Sequence, residues 1–296
     1  MKIAVIILNY KTPQLVLKCL ESIRNSSSRN ETDIWVVDNA SDDNIKSLLN
    51  AQHEKINFIQ SEKNLGFSGG SNLALAKAKA DYYLLLNSDT IVQKNSIDNL
   101  IEMSQKYNFA ICAPHLLNQN GSLQPNAGDL PFGLSLYVWL FGLDDMPFFS
   151  RFLPSFHRKN KEYYSFSHTV GWVSGSAICF RKEVLEKVGL WDDHIFMYGE
   201  DVDYAIRAKR LGFNIGFVKG ATITHIGGAS SKDAHFKQWL GEFKGILYLY
   251  KKYKGNLRAQ IVKLAIYKAI ILRIIAFSVL QKKDNVKTYV NILKSL

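Results

Sequence analysis

The chain has 296 residues, of which 47% are hydrophobic and 12% aromatic, so it can bury a full core and is not a disordered protein. Its three cysteines are widely spaced and follow no disulfide or zinc-site pattern, which is typical of buried thiols in a reducing compartment. The net charge of +11 comes entirely from residues 232–296, which hold 14 basic and 3 acidic residues, whereas residues 1–231 hold 23 of each. A neutral body argues against a nucleic-acid-binding protein, and the basic tail indicates contact with an anionic surface.

Short apolar runs alternate with segments of helical period over residues 1–90. The run at residues 3–8 is too short for a signal peptide and predicts a buried strand. Further strands are predicted at residues 34–37, 56–59 and 82–86, and helices near residues 13–24, 42–50 and 68–79. This alternation predicts an α/β fold with a doubly wound, mostly parallel sheet flanked by helices, in which ligands bind beyond the carboxyl ends of the strands.

The alternation stops near residue 114, and the segment that follows, residues 114–168, contains an aromatic-rich stretch and reads as an insertion over the active site. Apolar residues return at 170–180, a helix is predicted near 201–211, and short strands are predicted at 215–218 and 222–226. The sequence thus divides into a body at 1–231, with a change of pattern near residue 113, and a basic amphipathic helical tail at 232–296.

Asn87, Ser88 and Asp89 follow a strongly apolar strand, so their side chains are expected at the sheet edge that faces the ligand crevice. A carboxylate at that position can hold Mg²⁺ or Mn²⁺, because diphosphate oxygens and water complete the coordination shell. A turn or helix N-cap role for Asp89 explains the same residues equally simply.

A glycine-bearing loop at residues 61–72 leads into a predicted helix, where backbone amides and the helix dipole suit a phosphate or a ribose. The loop matches neither the P-loop nor the dinucleotide-binding pattern. A tight turn with Ser68 as the N-cap is the alternative interpretation.

Three carboxylates, Glu200, Asp201 and Asp203, lie at the predicted start of a helix. A general base can be mounted there, although the helix dipole alone also favours acids in a first turn. His225 follows a predicted short strand and is either structural or a third ligand to a cation at Asp89.

Taken together, these segments resemble the family 2 glycosyltransferases of the GT-A fold, in particular their bacterial rhamnosyltransferase-like branch. The resemblance covers about residues 3–228 and rests on segments that occur in the family's order: residues 6–10, 37–41, 64–67 with Asn72, 86–90 and 199–203. It implies an inverting, metal-dependent hexosyltransferase of cell-surface polysaccharide biosynthesis. It also implies that residues 1–231 are a GT-A catalytic domain, with a nucleotide-sugar half at about 1–113 and an acceptor half at about 114–231. The implied donor is a nucleotide-diphosphate sugar, with dTDP-rhamnose as the preferred identity, and the implied acceptor is a glycan or a lipid-linked sugar.

On the donor side, the resemblance implies that Asp38 hydrogen-bonds the nucleotide base, with Asn9 and Tyr10 lining the nucleotide pocket. It assigns the ribose or the donor sugar to one loop, through Asn64, Gly66, Phe67 and Asn72.

On the catalytic side, the resemblance makes Asp89 the metal-binding aspartate, in a segment where Asn87 replaces the family's first aspartate and Ser88 lies between them. His225 matches a histidine that completes the metal shell in some members. Asp201 matches the catalytic base, with Glu200 beside it, and the residues matching the donor-sugar and acceptor pocket are Trp172 and Gly175.

Residues 232–296 interleave basic residues with aromatic and aliphatic ones, which is typical of a helix that lies in a membrane interface. The most apolar part, residues 261–280, contains Lys263, Lys268 and Arg273, so no membrane span is predicted there. We therefore expect a cytoplasmic protein that is peripheral on the inner face of the cell membrane, with no nucleic-acid partner. A homo-oligomerisation role for the tail is the alternative.

Two alternatives to an active glycosyltransferase also stay open. A catalytically weak sugar-nucleotide-binding or scaffold subunit would explain why Asn87 stands in place of an acid. A nucleotidyltransferase could use a similar sheet and acidic metal ligands, but it needs a basic glycine-rich loop after the first strand, and residues 9–13 do not form one.

Overall fold

The computed structural model describes residues 1–52, 55–227 and 234–296. Its strands are β1 (Lys2–Asn9), β2 (Glu31–Asp38), β3 (Asn57–Gln60), β4 (Tyr82–Asn87), β5 (Thr90–Val92), β6 (Ile111–Leu117), β7 (Ala127–Gly128), β8 (His168–Thr169), β9 (Trp172–Val173), β10 (Ala177–Arg181) and β11 (Ile215–His225). Its α-helices are α1 (Pro13–Asn25), α2 (Ile45–Asn50), α3 (Gly66–Leu75), α4 (Ser96–Lys106), α5 (Leu134–Leu140), α6 (Pro147–Phe152), α7 (Lys182–Val188), α8 (Glu200–Arg210), α9 (Ala234–Lys254), α10 (Asn256–Val279) and α11 (Lys283–Ser295).

The main sheet has the strand order β3-β2-β1-β4-β10-β6-β11-β5, and β8 pairs with β11. Strands β3, β2, β1 and β4 run parallel, as do β6 and β11, whereas β10 is antiparallel to both of its neighbours. The predicted mostly parallel sheet flanked by helices is therefore confirmed. Its parallel half carries β1, β2 and β4 side by side, so their carboxyl ends share one edge.

Strand β1 is buried on both faces because helices cover the sheet on each side. Its side chains alternate between the two cores, as a pleated strand requires. Ala4 and Ile6 belong to one buried cluster, whereas Ile3, Val5 and Ile7 belong to the other. The continuous apolar run that predicted this strand is thus the pattern expected of a central parallel strand.

Residues 90–117 hold β5, α4 and β6, which the sequence pattern did not indicate. The two short strands expected at 215–218 and 222–226 are one strand, β11, whose pairing with β6 shifts register between Val218 and Thr222. The prediction of two strands was wrong because this irregularity interrupts the apolar alternation without ending the strand.

The tail is helical, as predicted, and its helices share a core with the catalytic body. Phe243 of α9, Ile266 of α10 and Ile292 of α11 are fully buried and belong to the same cluster as Tyr83 and Phe180 of the sheet. The predicted boundary between residues 231 and 232 lies outside the described residues and stays a prediction. In the described part of the chain, no helix combines the length and the apolarity needed to cross a membrane.

Candidate active site

The carboxyl ends of β1, β2 and β4 bring three predicted site residues to one edge of the sheet. In the strand register Asn9 is paired with Asp38, and Leu8 is paired with Asn87. The three strands run in the same direction and end within one residue of each other in this register, so the residues at their carboxyl ends lie side by side. The polar tract that follows each strand is therefore part of one cleft.

Asp38 lies at the bottom of this cleft and is 1% exposed. Its Oδ1 accepts from Asn9 Nδ2 at 2.8 Å and from the Ser41 hydroxyl, and its Oδ2 accepts from Gln60 Nε2 at 2.5 Å. Asn9 Nδ2 also approaches Asp43 Oδ2 at 3.0 Å. These bonds compensate for the burial of the carboxylate and fix its orientation. Tyr10 follows directly and is half-buried.

Asn39, which the sequence analysis did not single out, holds the glycine-bearing loop. Its Nδ2 donates to Asn64 Oδ1 and to the Gly66 carbonyl, both at 3.0 Å, and its Oδ1 accepts from the Leu65 amide at 2.9 Å. Gly66 has φ +71°, and a Cβ at this position would lie 2.1 Å from the Phe196 carbonyl oxygen. Only glycine fits there, because both the backbone conformation and the close approach exclude a side chain.

The two remaining predicted residues of this segment, Phe67 and Asn72, lie in helix α3 and have different surroundings. Asn72 uses both ends of its amide on the Trp191 backbone, with Nδ2 donating to the carbonyl at 2.9 Å and Oδ1 accepting from the amide at 3.0 Å. Phe67 packs edge-on against the Trp191 ring, with 5.5 Å between ring centroids. Asn72 therefore anchors the segment that leads to α8, and its amide atoms are already engaged within the protein.

Asn87, Asp89 and His225 converge on one point. His225 Nε2 lies 3.2 Å from Asp89 Oδ1 and 3.2 Å from Asn87 Nδ2, and Asp89 Oδ2 accepts from the Gly227 amide at 3.0 Å. Burial alone would raise the pKa of Asp89, but the hydrogen bond and charge of His225 and the Gly227 amide outweigh it and leave that pKa below its usual value. The carboxylate is therefore ionised at neutral pH.

Two residues that sequence reasoning missed orient this cluster. Gln124 Oε1 lies 2.7 Å from His225 Nδ1, which leaves Nε2 to face Asp89, and the Thr12 hydroxyl lies 2.8 Å from that of Ser88. Thr12 lies three residues after the end of β1, so its position at a strand's carboxyl end could have identified it. Gln124 lies in a loop before β7, and nothing in the local sequence could have identified it.

This donor set fits a divalent cation. Adjacent ligands of a six-coordinate ion of this size are about 3 Å apart, which is close to the 3.2 Å between His225 Nε2 and Asp89 Oδ1. Asn87 now turns its amide nitrogen toward His225, so it would have to rotate its amide to offer the oxygen to an ion. A carboxylate and an amide suit hard cations, and an imidazole favours a transition metal. A second group, Asp192, Asp193 and His194, places its ligand atoms within 4.8 Å of one another. Because Asp192 is already bonded to Lys252 at 2.6 Å and to the Tyr248 hydroxyl at 2.7 Å, that group carries no argument for a metal site.

Asp201 lies in the first turn of α8, and its carboxylate is held by two backbone amides. Oδ2 accepts from Gly175 at 3.0 Å and Oδ1 from Val202 at 2.8 Å. Burial raises the pKa of Asp201 to about 6, although the two amides and the charge of His157 act in the opposite direction. A carboxylate with a pKa near neutrality can accept a proton from a hydroxyl and pass it on.

Glu200 is buried beside Asp201, and its Oε2 has no hydrogen-bond partner among the described residues. Burial and the adjacent charge of Asp201 raise the pKa of Glu200 well above its usual range. Of the two neighbouring carboxyls, Asp201 is the more exposed.

One short turn connects the two halves of the site. The Ser176 carbonyl accepts from the Asn87 amide at 2.9 Å, and the Gly175 amide donates to Asp201. A Cβ on Gly175 would lie 3.1 Å from the Phe67 ring. The structure thus brings Gly175 together with Phe67 and Asp201. Trp172 is 4% exposed and donates from Nε1 to the Phe156 carbonyl at 2.8 Å, so its indole supports the turn from the core.

Comparison with known protein families adds an independent finding. The profile of the "Glycosyltransferase like family 2" matches residues 1–242. The chain is 30% identical over 220 residues to "Low-salt glycan biosynthesis hexosyltransferase Agl10" of Haloferax volcanii, a match that covers 72% of this chain and 64% of that protein. It is 24% identical over 204 residues to "N-acetylglucosaminyl-diphospho-decaprenol L-rhamnosyltransferase" of Mycobacterium tuberculosis, which covers 65% of this chain and 66% of that protein. The matched region thus spans about two thirds of the length of these relatives.

Solved structures show the same fold at low sequence identity. GalNAc-T7, crystallised with UDP, GalNAc and Mn²⁺, has a TM-score of 0.58 and 16% identity, and the match covers 76% of this chain and 43% of that one. Residues 1–349 of S. aureus TarS have a TM-score of 0.54 and 14% identity, and the match covers 100% of this chain and 91% of that one. At this level of identity the likeness establishes the fold alone.

Replacing Asn39 with alanine is expected to lower the free energy of unfolding by about 1–3 kcal/mol, because the Leu65 amide and the Gly66 carbonyl lose their partner in a buried place. Urea denaturation at neutral pH measures this change. The matched control is Asn50→Ala at an exposed position at the end of α2, which should have no measurable effect. Equal stability of the two variants would show that Asn39 does not hold the loop.

Proposed function

The chain belongs to the glycosyltransferase like family 2, and we propose that it transfers a hexose, with inversion, from a nucleotide-diphosphate donor to a glycan or lipid-linked acceptor. The preferred donor is dTDP-rhamnose, which is supported by the rhamnosyltransferase among the relatives and by the sequence resemblance. The other relative is a hexosyltransferase of glycan biosynthesis, which supports a role in cell-surface polysaccharide synthesis.

The arrangement that carries this proposal is the turn at residues 174–176, which contacts Asn87 on one side and Asp201 on the other. Asp38 and Asn9 would bind the base of the donor, and the loop held by Asn39 would contact its ribose or sugar. Asp201 would take the proton from the acceptor hydroxyl as that oxygen attacks the anomeric carbon, while the bond from that carbon to the diphosphate breaks. A single base opposite the leaving group gives inversion.

Asp89, His225 and Asn87 are the residues that would hold the cation, Mg²⁺ or Mn²⁺, with Ser88 beside them. When bound, the cation would neutralise charge on the departing diphosphate. The imidazole ligand favours Mn²⁺ of the two. The amide of Asn87 provides a neutral oxygen where a second carboxylate would add negative charge, so we expect weaker metal binding than an aspartate pair would give.

The proposal is tested by incubating the full-length protein with a panel of nucleotide sugars and measuring the release of free nucleotide with Mg²⁺ or Mn²⁺. Metal-dependent release from one donor, increased by acceptor, supports a transferase. Binding of a nucleotide sugar without release would instead indicate a sugar-nucleotide-binding subunit.

Asp201→Asn is expected to lower turnover about 10²–10⁴-fold with little change in donor affinity, because the amide cannot accept the proton. In the unchanged protein, turnover should fall as the pH drops below about 6, since protonation of Asp201 removes the base. Initial rates from pH 5 to pH 8, with nucleotide affinity from calorimetry, measure both effects. Near-normal turnover of Asp201→Asn would refute the assignment, and Asp193→Asn, at an exposed neighbouring carboxylate, serves as the control.

His225→Gln is expected to raise the Mn²⁺ concentration needed for half-maximal activity at least tenfold, because one metal ligand is lost. A Mn²⁺ titration of the chelator-treated protein measures it. His194→Gln is the matched control, since His194 is exposed and belongs to the other acidic group. A shift with His194→Gln and none with His225→Gln would place the metal at residues 192–194 and contradict the proposal.

We also propose that the protein acts at the inner face of the cell membrane, bound through its tail. The charge of residues 232–296 supports this, as does a row of exposed apolar side chains. They lie on one face of α10 at spacings of three or four residues, with exposed Lys268 completing the row: Leu257, Ile261, Leu264, Ile271, Ile275 and Val279. An apolar face flanked by basic residues fits an anionic lipid surface.

Changing Leu264 and Ile275 together to glutamine should reduce flotation with anionic liposomes several-fold, because both side chains are more than half exposed on that face. Truncation of the tail is unsuitable as a test, since α9, α10 and α11 complete the core of the body. Leu211→Gln, equally exposed on the body, is the control. Unchanged flotation of the double variant, or its conversion of a dimer to a monomer in light scattering, would favour the oligomerisation role instead.

A further inference from the structure

Helix α9 of the tail packs directly on the turn that precedes α8. A Cβ on Gly245 would lie 2.3 Å from the Tyr198 carbonyl oxygen, and one on Gly241 would lie 2.3 Å from the Tyr198 ring. Gly199, with φ +108°, would place a Cβ 3.2 Å from Gly245 Cα. The two glycines of α9 therefore form a seat for residues 198–199, and those residues lead straight into Glu200 and Asp201.

Glu242 lies on the same helix, next to this seat, and is held in place by two side chains. Its Oε2 is 3.4 Å from His157 Nε2, and its Oε1 accepts from Gln238 Nε2 at 3.1 Å. The side chain of Glu242 is 13% exposed and that of His157 is 26% exposed. The two side chains are thus mostly shielded from solvent, where a charge acts more strongly on its neighbours than at an open surface.

His157 in turn contacts the segment that holds Asp201. Its ring lies edge-on to Trp172, with 5.0 Å between ring centroids, and Trp172 begins the short segment that ends at Gly175 and its amide bond to Asp201. The middle segment of the chain and the tail therefore contact the two segments that flank Asp201. His157 contacts Trp172, and α9 contacts the turn at residues 198–199.

The charges that face Asp201 come from three elements: Glu200 from α8, Glu242 from α9, and His157 from the segment before β8. The negative charge of Glu242 acts to raise the pKa of Asp201, and His157 acts to lower it. Tyr198, in the seated turn, responds to the same charges: burial first, and then Glu242 and Glu200, raise its pKa to about 12. Glu242 and His157 therefore have opposite effects on the pKa of Asp201.

We propose that helix α9 is part of the active site, and that Glu242, paired with His157, is a positioning residue for Asp201. The proposal rests on the function proposed above, in which Asp201 accepts the acceptor proton. Glu242 acts through Asp201, by the charge that it places beside the carboxylate and by its position on the helix that seats the preceding turn. The basic tail would then have a role in catalysis in addition to its role in binding a surface.

The test uses the full-length protein and the pH dependence of turnover. Glu242→Gln should move the acid limb of the profile to lower pH by roughly half a unit, because a negative charge near Asp201 is removed. His157→Gln should move it to higher pH by a similar amount. A purely structural role would change turnover at all pH values together and would not produce opposite shifts. Lys244→Gln, an exposed charge change on the same helix, is the control and should shift nothing.

Two outcomes separate this inference from the proposed function. If Asp201→Asn abolishes turnover while neither Glu242→Gln nor His157→Gln shifts the acid limb, only the positioning role is refuted. If Asp201→Asn leaves turnover intact, the base assignment fails as well. Should Glu242→Gln unfold, as judged by thermal denaturation, the shift with His157→Gln alone decides the question.

Discussion

The backbone turn at residues 174–176 is the constraint on which the rest of the site depends. It enters β10 next to β4, so the Ser176 carbonyl must pair with the Asn87 amide, and the Gly175 amide is then directed at Asp201. A Cβ at Gly175 would lie 3.1 Å from the ring of Phe67, in the first turn of α3, so the turn packs closely on the segment held by Asn39. One antiparallel strand, β10, inserted next to the parallel strand β4 therefore connects the sheet edge that carries Asn87 to the start of α8.

Asp89 and Asp201 show how burial and neighbouring groups can shift the pKa of the same type of side chain in opposite directions. Asp89 pairs with His225 and a backbone amide, so its pKa lies below the usual value and it remains an anion. Asp201 is also held by amides, but burial outweighs them and the pKa rises to about 6. An anion that stays ionised suits a cation, and a carboxylate that titrates near neutrality suits proton transfer. The roles proposed for the two residues follow this difference.

The sequence predicted those parts of the fold and the site that are encoded locally. Strands β1, β2 and β4 each contain an uninterrupted apolar run, and the polar residues after these runs could be assigned to a ligand edge from the order of residues alone. Strand β6 escaped prediction because Pro114 and His115 interrupt its apolar residues, and it is defined by pairing with β10 and β11. Gln124 carried no signal for a similar reason, since its partner His225 is 101 residues away. Tertiary pairing leaves no periodicity in the sequence.

Charge composition alone suggested a tail that could be separated from a neutral catalytic body, and packing argues for closer integration. A helix that served only as an anchor would not need glycines at both positions where it meets the turn before α8. Lys252 of the same helix binds Asp192 and Asp203, on either side of that turn. Buried and partly buried ion pairs are costly to break once formed, so α9 and the start of α8 should move as one unit. A displacement of α9 would then also displace the start of α8, and with it Asp201.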